Sequence, residues 1–173
     1  MPGFLVNGVG GQRGTGISST TEFYHKHFWE INSLMGTNFS SGSPLIACKD
    51  VTSPVFNVEQ ERVTASSLVY KFAKCISWDD IKVTWYDSIG LLSHIRDWRT
   101  SVWTPECGLK TANEYKKRSS ISNYLPTGER VNRWNLYNSW PAMIKSGDLT
   151  YTDSDVKVVE VTVSYDWADE ELG

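Results

Sequence analysis

The sequence predicts a mainly β protein: an antiparallel β-sandwich or partial barrel with one flanking α-helix at about residues 88–103. Three observations lead there. Apolar residues alternate at Ile81, Val83 and Trp85, and again at Val159, Val161, Val163, Tyr165 and Trp167. That is the period of strands with one packed and one wet face. Between these runs the period changes: Leu91, Ile95, Trp98 and Val102 step by four, three and four residues, one face of a helix. Gly, Pro, Asn and Ser then cluster between the periodic segments, as turns require.

Residues 1–21 are rich in Gly, Ser and Thr and read as a flexible N-terminal arm, with residues 22–173 as a single β domain. Phe23 to Asn32 is aromatic and then strand-like, Ser33 to Ser43 a turn region, and Pro44 to Val51 a short strand. Thr52 to Ser67 reads as a long hairpin or loop. From Leu68 to Lys74, Leu68, Tyr70 and Phe72 share one face of a strand. Asp80 to Tyr86 is the next strand. Asp87 or Ser88 can cap the helix, and Pro105 and Gly108 close it. Ser119 to Leu125 and Arg130 to Asn138 form a hairpin, because Pro126 presets φ and Gly128 accepts positive φ. Trp140-Pro141 ends that second strand, and Ser146-Gly147-Asp148 makes another turn. Val156 to Trp167 is the final strand, with Val159, Val161, Val163, Tyr165 and Trp167 as its core face.

A length of 173 residues suits one domain that buries on the order of 70% of its unfolded surface. With 40% hydrophobic and 21% charged residues the chain is globular rather than disordered. A net charge of −3 argues against a duplex-DNA reader. Cys48, Cys75 and Cys107 are odd in number and far apart, so they read as reduced thiols rather than a zinc or redox motif. No run is apolar for the roughly 18 residues a spanning helix needs. The start carries no signal-peptide pattern, and the expectation is assembly in a cytoplasm.

Catalytic readings are weak. Gly11 to Gly16 has P-loop glycine spacing, but Ile17 stands where the phosphate-binding Lys must be. His25 and His27 have no third ligand beside them. Asp79-Asp80 and Asp169-Glu170-Glu171 read as a solvated turn and tail, and no nucleophile elbow is present. The expectation is a non-enzyme with no cofactor and no metal. Tyr115-Lys116-Lys117-Arg118 is the strongest basic patch. Lys116, Lys117 and Arg118, with Asn57, Val58, Glu59, Gln60, Glu61 and Arg62 of the long hairpin, are the candidate contacts between subunits.

The order of several short blocks resembles a known family. They are Phe28-Trp-Glu-Ile31, the strand Ile81 to Trp85 before a helix carrying Asp97-Trp98, and Tyr115-Lys116-Lys117. The strongest is Trp134-Asn-Leu-Tyr-Asn-Ser-Trp140-Pro141, then Ile144, Gly147-Asp148-Leu149 and Val159 to Trp167. This pattern is similar to the major tail tube proteins of contractile-tailed phages, related to the inner-tube proteins of contractile injection systems. The resemblance runs over roughly residues 23–168 and fails at residues 1–21 and 55–67. It implies a tail-tube-like fold and a structural subunit whose copies form six-membered rings. The rings stack into a hollow tube inside a contractile sheath. The implied partners are further copies of the chain, the sheath protein, and baseplate and terminator proteins. A tape-measure protein and DNA would pass the lumen without specific binding, in a virion tail assembled in the host cytoplasm. A baseplate-proximal tube initiator or a tail terminator is the alternative post.

Overall fold

The computed structural model describes residues 28–39, 48–147 and 155–173. The expected arm, His25 and His27, and most of the turn at Gly147-Asp148-Leu149 lie outside them. The described strands are β1 (Trp29–Leu34), β2 (Thr37–Asn38), β3 (Cys48–Val51), β4 (Val55–Ala65), β5 (Leu68–Asp79) and β6 (Ile81–Tyr86). The helix α1 (Ile89–Val102) follows, then β7 (Trp103–Thr104), β8 (Gly108–Leu109) and the single turn α2 (Ala112–Tyr115). The chain ends with β9 (Lys117–Tyr124), β10 (Arg130–Ser146), β11 (Val158–Ser164) and β12 (Trp167–Leu172).

Every described pairing is antiparallel. The long strand β10 belongs to two sheets. Its first half lies between β9 and β12, and β9 continues to β1 and β2. Its second half pairs with β11, which continues to β6 and β3. One core fills the space between: Ile31, Leu34, Ile121, Leu136 and Ala168 from the first sheet, Ile81, Val83, Trp85, Val159, Val161 and Val163 from the second. Helix α1 adds Leu91 and Trp98. Ser88 is its cap, its hydroxyl accepting from the Leu91 N–H. The Trp98 indole stacks near Trp85 and donates to the Thr37 hydroxyl, so the helix is tied to both sheets.

Two expectations change at the corner between the sheets. Trp140-Pro141 does not end a strand: β10 runs on to Ser146, with a register shift between Pro141 and Met143. Pro141 itself faces Val163 and Ala142 is the extra residue, so the proline stands beside a bulge, where strands tolerate it. The last strand does not run through to Trp167 either. It stops at Ser164, and the chain bends and enters β12, which carries Asp169-Glu170-Glu171 into a sheet rather than a loose tail. Trp167 therefore leaves the expected core face and is 46% exposed, whereas Val159, Val161, Val163 and Tyr165 are buried.

β10 makes the matching bend. Asn138 adopts φ +58° and lies in the bulge between Leu136 and Ser139, where Tyr137 and Asn138 oppose Arg118 alone on β9. Asn tolerates this left-handed conformation better than most residues. Behind it, the buried hydroxyls of Ser119 and Ser139 meet at 2.6 Å, and Ser139 Oγ donates to the Lys117 carbonyl. The bend thus satisfies its own buried polar groups.

Candidate functional site

The feature that the body of the domain does not absorb is the ribbon formed by β4 and β5. The two strands pair from Val55↔Asp79 out to Ala65↔Leu68, joined by a tight turn in which Ser66 takes φ +59°. An isolated two-stranded ribbon has no second layer to cover it. Here the result is a row of uncovered apolar side chains: Val58, Val63, Leu68, Tyr70, Phe72 and Ile76, with Phe72 at 55% and Ile76 at 62% exposure.

Among the described residues, the ribbon is anchored at its base. Phe56 and Trp78 pair across it with ring centroids 5.2 Å apart, and Trp78 reaches Trp134 and Tyr165 at 6.3 and 6.1 Å. Burial pushes the Tyr165 hydroxyl up to about 12, with Asp79 and Asp80 adding to the shift.

Halfway out, the register slips by one residue between Val58↔Ile76 and Gln60↔Ala73, so β5 carries the extra residue. Glu59 faces this bulge, accepting from the Cys75 thiol at 3.1 Å and lying 3.7 Å from Lys74. The carboxylate holds the thiol's pKa above its ordinary value. Strand alternation along β4 puts Val58 and Val63 on opposite faces. The apolar surface therefore changes sides at the bulge: Phe56, Val58, Ile76 and Trp78 below it, Val63, Leu68, Tyr70 and Phe72 above it.

The candidate contact residues fall in two separate places. Asn57 to Arg62 all lie on β4 and are exposed. Asn57 is held by Asp79 at 2.8 Å. Lys116, Lys117 and Arg118 lie at the corner, where two of them are engaged within the chain. The Lys116 ammonium donates to both oxygens of Asp166 at 2.7 and 2.8 Å. Asn138 adds a third bond to that carboxylate at 2.9 Å, and the Asp166 N–H donates to the Tyr137 carbonyl. The bond from Lys116 and then that from Asn138 hold Asp166 below the usual carboxylate range. The Arg118 guanidinium sits 4.7 Å from the centroid of Tyr137, which stacks on Trp167 at 3.7 Å. A cation and two rings thus line up across β9, β10 and β12.

Two surfaces were not legible as contacts in the sequence. One is the apolar part of the ribbon, whose alternation looks like that of a core strand. The other is β12, which pairs with β10 on one side and leaves its other edge free among the described residues. A cavity of about 430 Å³ opens between the sheets beside Trp29, Ile121 and Trp134. No group of three or more His, Cys, Asp or Glu side chains is placed to hold a metal among the described residues. No helix among them is long and apolar enough to cross a membrane.

The described residues thus form an antiparallel two-sheet body with a projecting ribbon whose apolar side chains are uncovered. The sequence matches the family described as "T4-like virus tail tube protein gp19" over residues 35–168, and the chain belongs to that family, which is structural and not enzymatic. Comparison with curated protein sequences gives no match. Among solved structures, the fold is similar to a chain of the anti-feeding prophage tube terminating cap. The TM-score is 0.72 at 14% identity, covering 90% of this chain and 95% of that one. A chain of the PVC sheath/tube terminator in the extended state, from an extracellular contractile injection system, gives 0.70 at 17%, covering 88% and 99%. The PVC sheath-tube complex gives 0.59 at 17%, covering 84% and 87%.

Proposed function

We propose that the chain is the repeating subunit of a phage tail tube, forming six-membered rings that stack head to tail into a hollow tube inside a contractile sheath. The ribbon carries the reading. An apolar surface of this size on a monomer marks a protein contact, and free strand edges are a liability that a closed ring removes. Head-to-tail contacts close into rings, and a second heterologous contact along the axis makes a filament. Sheath, baseplate and terminator proteins are the further partners. DNA and a tape-measure protein pass through the lumen without specific binding, helped by the chain's net charge of −3, which disfavours a grip on DNA. The particle is a virion tail assembled in the host cytoplasm.

A ring that starts or ends the tube is the second reading, because two of the similar structures come from tube-terminating assemblies. Negative-stain electron microscopy of the purified chain tests the first: rings or tubes are expected. A monomer that persists at high concentration, with a baseplate template present, overturns it. Copy number relative to sheath protein in purified particles separates the two posts, since a terminal ring occurs once per particle.

A further inference from the structure

We infer that the free edge of β12 is the receptor for the β4–β5 ribbon of a second copy, and that charge selects the match. The inference rests on the tube-subunit reading and specifies which surfaces meet. Arg62 and Lys71 are direct cross-strand partners on the ribbon, and both are exposed. Like charges placed directly opposite each other destabilise a strand pair. Neither has an ion-pair partner among the described residues. Lys74 on the same ribbon, by contrast, is paired with Glu59. Two neighbouring cations left uncompensated on a projecting element call for an anionic surface outside the chain.

β12 supplies one. Its sequence Ala168-Asp169-Glu170-Glu171 is acidic, and its outer edge has no strand hydrogen-bonded to it among the described residues, although β5 of the same chain comes close. Glu171 is answered within the chain by Arg130 at 3.5 Å, and among the described residues Glu170 accepts from the Asn132 amide. Asp169 and Glu170 therefore have no cation of their own among the described residues. The apolar chemistry also fits. Trp167 and Leu172 flank the acids and are 46% and 75% exposed. Alternation puts Trp167 with Asp169 on one face of β12 and Leu172 with Glu170 on the other, as the ribbon carries Val63, Tyr70 and Phe72 on the face opposite Arg62 and Lys71. The edge offers unpaired backbone groups, so the ribbon can add to the sheet as further strands.

Within the chain, β12 pairs with β10, and the ribbon packs on the body at its base, where Trp78 reaches Tyr165 just before β12. The exposed far half of the ribbon is thus left for another copy.

The test is a charge exchange on the full chain. One double variant is Arg62→Glu/Lys71→Glu, the other Asp169→Lys/Glu170→Lys. All four positions are exposed, so each variant is expected to keep the parent's circular dichroism spectrum and melting temperature. Each alone should raise the concentration needed for assembly by about tenfold or more, the scale of turning close attractive charge pairs repulsive. Mixing the two doubles should restore assembly at a one-to-one ratio, because each ribbon then finds the opposite edge only on the other variant. A quadruple variant should assemble like the parent.

Rescue by the quadruple variant without rescue by mixing means that the ribbon closes on its own β12, and overturns the inference. Assembly unaffected by either double also overturns it. So does loss confined to nucleic-acid retention in the Arg62→Glu/Lys71→Glu variant, which would assign the cations to a polyanion. In each of these cases the parent still forms rings, so the tube reading survives. A parent that forms no rings removes that reading instead.

Discussion

Asp166 locks the bend between the two sheets, and replacing it with Ala is expected to cost about 1–2 kcal/mol. Its carboxylate is contacted by Lys116 and Asn138, from the segments on either side of it. The side chains of Lys116 and Asp166 are 27% and 43% exposed, so solvent screens the pair. Its share is therefore that of a surface ion pair, about 0.5–1 kcal/mol. The Asn138 bond adds a similar amount, about 0.5–1 kcal/mol. For a chain of this length the sum lowers the melting temperature by about 2–8 °C. A double-mutant cycle of Asp166→Ala with Lys116→Ala, read by urea unfolding at neutral pH, should return a coupling of about 0.5–1 kcal/mol that shrinks in high salt. The folded pKa of Asp166 is depressed. Its contribution is therefore fully present above the unfolded value of about 3.9 and is lost as pH falls through the folded value. The stability gap between the parent and Asp166→Asn should narrow below about pH 4. Zero coupling at neutral pH, or a gap that persists unchanged at the acid end, refutes the assignment.

Val161 sits in the middle of β11 between Val83 and Ile144 and is fully buried. Val161→Lys should prevent folding by burying an unpaired charge, whereas Val161→Ala should fold with a loss of about 2–3 kcal/mol in urea unfolding. Soluble, assembling Val161→Lys would mean the wrong face has been taken as core. Tyr70→Ser with Phe72→Ser removes two apolar side chains that the domain does not cover. It should leave the monomer's melting temperature within about 2 °C while abolishing rings and tubes in micrographs. In hydrogen exchange, the amides of β6 and β11 should be protected in monomer and tube alike. Those of the far half of the ribbon should exchange fast in the monomer and become protected on assembly.

The helix and the two inner strands were legible because their periods are unambiguous. Leu91, Ile95 and Trp98 fit only a 3.6-residue repeat, and Val159, Val161 and Val163 only a two-residue one. The corner was not legible, for a physical reason at each residue. Alternation continues without a break through Tyr165 and Trp167, so no pattern marks the bend at Asp166, which is fixed by bonds to residues distant in sequence. Pro141 lacks an N–H and looks like a strand end, yet it stands beside a bulge, a place where strands tolerate proline. The run Asp169-Glu170-Glu171 has the composition of a tail. It forms a strand because β10 offers it a partner from Asn132 to Tyr137. The basic run at Lys116 to Arg118 looked like an open patch, but Asp166 and Tyr137 take up two of its three charges.

The ribbon shows where single-chain reasoning stops. Leu68, Tyr70 and Phe72 alternate as regularly as the buried valines of β11, and no rule of propensity separates the two sets. What differs is the covering layer, which β11 receives from its own chain and the far half of the ribbon does not. A pattern suited to burial on an element with nothing over it makes sense only if the sequence encodes the assembled state. Ordering the ribbon then becomes part of the free energy of association, since a lone hairpin is marginal in water. The ordering cost, borne when a neighbour docks, weakens contact between free subunits. A growing tube end presents an already ordered edge and lowers that cost for the next subunit. On the proposed tube reading, free subunits of this design would associate more slowly with one another than with a preformed ring, so a template would speed growth without being required for it.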